Sequence, residues 1–212
     1  MGWNIEKYQV TLELTSDMLG TAPKSKSIYV DHVATKSRKR LIKAGLTDEE
    51  IDAKLADELD HYEEHDEELR GHTTFYQDKK SPYLKAYMIK AFLKEAARRL
   101  KEDGNLKQLK SKVDQYVFVT TDKIRLPKPE GGEFDVCVRP LRASTPQGER
   151  VAISRSDVIE EGAQLTFELH ILNEGIGVKL LKELFQYGKY CGLGCWRNGG
   201  NGQFKLVKFE QL

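Results

Sequence analysis

The residues with the most chemical potential lie near the C-terminus, in the stretch GLGCWRNGGNGQF, Gly192 to Phe204. Gly192, Gly194, Gly199, Gly200 and Gly202 enclose Trp196 and Arg197 there. Glycine lets a backbone present its amides closely, arginine meets phosphate with two parallel hydrogen bonds, and an aromatic ring stacks on a base. The two common glycine-based nucleotide cradles run strand, glycines, helix, so that phosphate meets a helix N-terminus. Here helical spacing precedes the glycines and a strand pattern follows, with no Gly-Lys-Ser or Gly-Lys-Thr. Dinucleotide and P-loop chemistry are thereby excluded. Two readings stay open: a tight helix-to-strand connection, or a loop that faces a polyanion.

Other constellations are weaker. His61, Glu64 and His65 have the spacing of an inverted zinc-protease motif, and histidines four apart share a helix face. They sit in an almost uniformly acidic segment with no obvious third-ligand helix after it, where His72 or Glu68 could complete only an adventitious site, so neither a metal nor a cofactor is expected. Cys137, Cys191 and Cys195 make an odd count with no CxxC pair, which argues for a reduced, cytoplasmic setting and packing roles. No apolar run approaches the ~18 residues of a membrane span, and the N-terminus has neither a signal layout nor a good myristoylation site.

Charge is the stronger signal. Lys and Arg number 34 against 33 Asp and Glu, a net +1. Between Leu46 and Arg70, however, twelve acidic residues face two basic ones, a local charge of −10 that leaves +11 on the rest. The basic residues cluster in the arm KSKSIYVDHVATKSRKR with Arg38, Lys39 and Arg40, in a helical face carrying Lys85, Lys90, Lys94, Arg98 and Arg99, and at Arg139, Arg142, Arg150 and Arg155. Such clusters suit phosphate-backbone contacts whose affinity falls steeply with salt. The acidic stretch would confer solubility, fold over a basic groove, or mimic nucleic acid toward a partner.

The elements that must position these groups follow from periodicity. YQVTLEL (8–14) alternates as a half-buried strand. Thr47 and Glu50 form a capping box with Leu46 and Ile51 as its staple, starting a helix with the thin apolar stripe Ile51, Leu55, Leu59 and Tyr62. Ser81-Pro82 reads as N-cap and first position of a second helix to about Glu102, with Ile89, Phe92, Leu93, Ala96 and Leu100 buried. Strands are expected at 115–121, 134–143, 150–159 and 164–172, a helix over 178–190, and a last strand after the glycines. Hairpin connections argue against a doubly wound sheet and for an α+β fold with helices on one face of an antiparallel sheet.

The glycine loop, the SPYLKAYMIKAFLKEA helix opening with Lys85, and RSDVIEEGAQLTFELHIL together resemble the RAMP superfamily, the backbone and processing subunits of CRISPR ribonucleoproteins. The resemblance covers most of 8–20 and 81–212. It departs from the family in lacking a Pro-Gly-Ser-Ser run and in carrying the acidic helix. It implies a single ferredoxin-like domain over 1–212, with 21–80 as a basic loop plus acidic helical insertion and 122–154 as a thumb-like hairpin. It also implies single-stranded RNA as partner, bound through the glycine loop, Lys85 and the hairpin arginines, and compatibility with oligomerisation. Some family members cleave RNA without metal using a histidine or tyrosine after the first strand, where Tyr29 and His32 lie, and Asp31 lies where some backbone subunits place a cleaving aspartate. The chain also resembles uncharacterised prophage-borne proteins. Three functions are therefore carried forward: a non-catalytic RNA-binding module of a CRISPR complex or a phage; an endonuclease leaving a 2′,3′-cyclic phosphate; and a phage protein that sequesters a host defence component.

Overall fold

The computed structural model of the chain describes residues 4–25, 38, 41–42, 45–59, 71–100, 108–146, 148–172 and 176–212. In chain order the elements used below are β1 (Ile5–Leu14), β2 (Ala22–Pro23), α1 (Asp48–Leu59), β3 (His72–Thr74), β4 (Pro82–Lys85), α2 (Ala86–Arg99), α3 (Leu109–Tyr116), β5 (Val117–Val119) and β6 (Lys123–Arg125). They continue as β7 (Val136–Thr145), β8 (Gly148–Ile159), β9 (Gln164–Leu172), α4 (Val178–Gln186) and β10 (Phe204–Gln211). The fold is α+β. Among the described residues no helix is long and apolar enough to cross a membrane.

The chain forms two compact units: Met1–Met18, Tyr83–Pro127 and Ile159–Leu212 make the first, Leu19–Pro82 and Lys128–Val158 the second. The first unit is built on a four-stranded sheet in the order β10-β1-β9-β5. Each of its neighbouring pairs is antiparallel. In sequence these strands and their two main helices run β1-α2-β5-β9-α4-β10. Strand β9 shows the cause of this arrangement: Leu165, Phe167, Leu169 and Ile171 are buried while Gln164 and Thr166 are exposed, so only one face needs covering. Helix α2 supplies Ile89, Phe92, Leu93, Ala96 and Ala97 to the core, and α4 supplies Leu181, Leu184 and Phe185. Phe92 packs edge-on against Phe204 at 4.9 Å and beside Phe185 at 6.5 Å. Each such buried ring contributes roughly 1.5–3 kcal/mol by area.

In the second unit β7 and β8 form a long antiparallel hairpin, running from Gly148 opposite Thr145 to Asp157 opposite Val136. Strand β3 pairs parallel to β8 through Arg155–His72 and Ser156–Thr73, and antiparallel to β2. Helix α1 begins with the expected capping box: the Thr47 amide donates to Glu50 Oε2 at 3.0 Å and the Glu50 amide to Thr47 Oγ1 at 3.3 Å. Ile51 is fully buried.

Several boundaries differ from the periodicity reading: the helix expected over 178–190 ends at Gln186, the strand expected over 134–143 is Val136–Thr145, and two differences touch the elements around α2. Pro82–Lys85 is a strand, and α2 starts only at Ala86. Tyr83 and Leu84 are buried and pair with Arg125 and Ile124, with Lys123 and Arg125 over the Tyr83 ring at 4.8 and 5.5 Å. Long-range pairing outweighs the local Ser-Pro signal. Gln115 and Tyr116 belong to α3, so the strand expected from 115 begins at Val117.

Candidate nucleic-acid interface

Helix α2 turns one face to the core and the other to a cleft of about 630 Å³. Lys90, Lys94, Arg98 and Arg99 line it from the helix and Lys110 from α3, with Tyr87, half exposed, at its edge. The cations are unequal. Lys90 Nζ donates to the carbonyls of Val113 (2.7 Å), Asp114 (3.0 Å) and Val117, so it closes the C-terminal end of α3. Burial pushes its ammonium below the ordinary lysine range. It also sits 4.8 Å from the Phe118 ring centroid. Lys94 pairs with Asp114 at 2.9 Å. Arg98, Arg99 and Lys110 complete a lining in which Glu95 is the one acid among the described residues.

Glu95 joins the cleft to the glycine loop. Arg197 Nη1 donates to Glu95 Oε2 at 2.8 Å and lies 3.5 Å from Cys191 Sγ, while the Cys191 thiol reaches Glu95 Oε1 at 3.7 Å. The bond from Arg197 holds the Glu95 carboxyl below the usual glutamate range; burial pushes the Cys191 thiol up. Cys191 is thus a packing thiol and a weak nucleophile. Trp196 adopts a left-handed conformation (φ 50, ψ 42), its ring lies over Gly199, and it is 47% exposed. Gly192 and Gly202 face each other across a close backbone crossing. Ser16 ties the loop to the end of β1, donating to the Gly200 carbonyl at 2.8 Å and accepting from the Gln203 amide at 2.9 Å.

The structure therefore brings Arg197, Trp196 and the five glycines together beside the α2 cleft, and makes Lys85 the residue that caps α2 in extended conformation. In the second unit, Arg142 and Arg150 are exposed on the hairpin and Arg155 is half buried, whereas Arg139 is buried. Arg38 is committed to the acidic helix, bonding Asp52 at 2.7 Å and Asp48 at 3.1 Å. Tyr29, Asp31, His32, Lys39, Arg40, and the His61, Glu64 and His65 set lie outside the described residues. The sequence reading missed Glu95; its signal is that it is the sole acid in α2.

The Glu95–Arg197 pair carries a pH prediction. The folded carboxyl titrates below its unfolded value of about 4.3, so its contribution is complete above that value and is lost as pH falls through the folded one. Both side chains are partly exposed, which limits it to about 1 kcal/mol. Arg197→Gln is expected to destabilise the protein to urea at neutral pH and to converge with the parent in acid. An offset that is equal at both pH values would refute this assignment.

No protein-family model and no curated protein sequence matches the chain. Among solved structures it is similar to a chain of a type III-B Cmr-beta complex determined by cryo-EM with cognate target RNA, at 13% identity and a TM-score of 0.48. The alignment covers 98% of this chain and 61% of that one, so the chain spans under two thirds of its length.

Proposed function

We propose that this chain is a ferredoxin-like protein of the RAMP type that binds single-stranded RNA, with the α2 cleft as its phosphate track. The observation that carries the reading is the cleft itself: among the described residues, five cations from two helices around one acid, bordered by an exposed tyrosine and by an arginine-bearing glycine loop. A polyanion neutralises such a lining, and Tyr87 and Trp196 offer faces on which bases stack. The strand order β10-β1-β9-β5, with two helices on one face, supports the ferredoxin-like part of the reading. The ion pairs of Arg38 with Asp48 and Asp52 support a second role for the acidic helix, as an internal competitor for basic residues that RNA would otherwise engage. A cytoplasmic CRISPR complex and a phage background are both compatible settings.

Removing two track cations tests this. The double variant Arg98→Gln, Arg99→Gln is expected to bind an oligouridylate at least about tenfold more weakly and to flatten the slope of log affinity against log salt by about 1.4. An unchanged slope in filter binding would place the RNA elsewhere.

One observation favours the alternative of a phage protein that sequesters a host defence component. Val138, Leu141, Val151 and Ile153 on the β7–β8 hairpin are 47–61% exposed. Exposed apolar strands of this kind mark protein contacts. A stable complex with a host protein, together with no RNA affinity at low salt, is the result that reading requires.

A further inference from the structure

We infer that the end of the α2 cleft at Arg98, Arg99 and Lys110 seats the terminal phosphate of an RNA strand, a phosphate monoester, an inference that rests on the RNA-binding reading. Helices α2 and α3 pass each other in opposite directions, and their facing turns are matched differently. Lys90 reaches the carbonyls of Val113, Asp114 and Val117. One turn further along α2, Lys94 bonds the Asp114 carboxylate at 2.9 Å. One turn further again, and one turn back along α3, Arg98 comes level with Lys110, and both line the cleft. The first turn is satisfied and the second is neutral. The third sets cation against cation.

No demand of the fold explains that third turn. Helix α3 is anchored by Leu109 and Val113, both buried, while like charges brought close repel. Among the described residues, Arg98, Arg99 and Lys110 enter no hydrogen bond or ion pair, and all three are exposed. Glu95, one turn before Arg99, is already held by Arg197 at 2.8 Å. The three side chains can therefore close on an anion from outside.

Charge and oxygen count select the anion. A phosphodiester within a strand carries a single negative charge and two non-bridging oxygens. A terminal phosphate carries about −1.5 to −2 at neutral pH and three acceptor oxygens. An arginine fork takes two oxygens by parallel bonds, and a lysine meets another as a point charge. Two arginines and a lysine thus match the monoester better than the diester. The cleft volume, about 630 Å³, is that of a pocket for one small ligand, so it suits the end of a strand more than its length. Tyr87 lies about 16 Å away along the α2 axis, at the far side of the same cleft, where a base of that strand stacks.

The test uses the full chain and labelled oligouridylates that differ only at their ends: hydroxyl at both, phosphate at the 5′ end, or phosphate at the 3′ end. One phosphorylated form is expected to bind at least about tenfold more tightly than the hydroxyl form, and the pair of arms shows which end the cleft takes. Arg98→Gln and Lys110→Gln should each reduce that advantage severalfold. Lys112→Gln, the same change on α3 outside the cleft lining, should keep it. Equal affinity for all three oligomers, or an advantage undiminished in both cleft variants, overturns the inference and leaves RNA binding standing. Uridine monophosphate binding as tightly as the phosphorylated oligomer also overturns it, because the cleft would then be a free-nucleotide site. Binding of no oligomer overturns both readings.

Discussion

Gly202→Ala is expected to lower the melting temperature by about 10 °C or more, the effect of a loss near 4 kcal/mol in a chain of this size. Gly202 has φ +70, and a methyl group there would overlap the Leu193 carbonyl oxygen, with its carbonyl carbon at 2.8 Å and its nitrogen at 2.9 Å. None of these atoms can give way. The Leu193 amide donates to the Gly202 carbonyl at 2.8 Å, and the Gly202 amide to the Asp17 carbonyl at 2.7 Å. Gly192 stands on the other side of the same crossing, where a methyl would overlap the Gly202 carbonyl carbon. Gly192→Ala should therefore behave alike. Gly200→Ala is the control: φ is +85 but no atom of the described residues lies within 4 Å of the added methyl, so only the left-handed penalty of about 1 kcal/mol applies. Equal melting temperatures for Gly202→Ala and Gly200→Ala would show that the crossing is not formed.

This distribution of strain divides the loop's glycines by task. Gly192 and Gly202 are required by backbone contact, whereas Gly200 turns the chain and leaves its outer side open. The two readings of the loop thus hold at different residues: a tight connection at its ends, and an exposed stretch around Trp196 and Arg197 between them.

What was legible in the sequence was local. The Thr47–Glu50 capping box depends on residues three apart, and β9 shows its one-sided burial in every second residue; both could be read without a partner. Pro82–Lys85 was misread because its strand state comes from pairing with Lys123–Arg125. Helix α3 had only Leu109 and Val113 as apolar markers, and its end is closed by a side chain from another helix, Lys90. The site followed the same rule. The basic character of α2 was plain, but Glu95 and Arg197 meet across a separation of 102 residues, and no spacing pattern encodes that.

Asp157→Ala is expected to cost about 3–5 kcal/mol, because it breaks a buried pair from one side. Asp157 and His72 are 1% and 8% exposed, with His72 Nε2 and Asp157 Oδ1 2.6 Å apart and Lys24 Nζ at 3.4 Å. The pair spans the parallel contact of β8 with β3, beside a 2.8 Å bond between the Ser156 and Thr73 hydroxyls. Truncating the carboxylate leaves the imidazole buried without its partner, which is the larger part of the penalty. Asp157 Oδ2 is itself buried with no hydrogen-bond partner among the described residues. Replacing both members with apolar residues, Asp157→Leu with His72→Phe, removes that orphan as well and should recover most of the loss. The double variant is accordingly expected to be more stable than Asp157→Ala in urea denaturation, with hydrogen exchange at Thr73 and Ser156 slowed back toward the parent. Strictly additive losses would show that the two side chains do not depend on one another, and that the β8–β3 contact is held by its backbone alone.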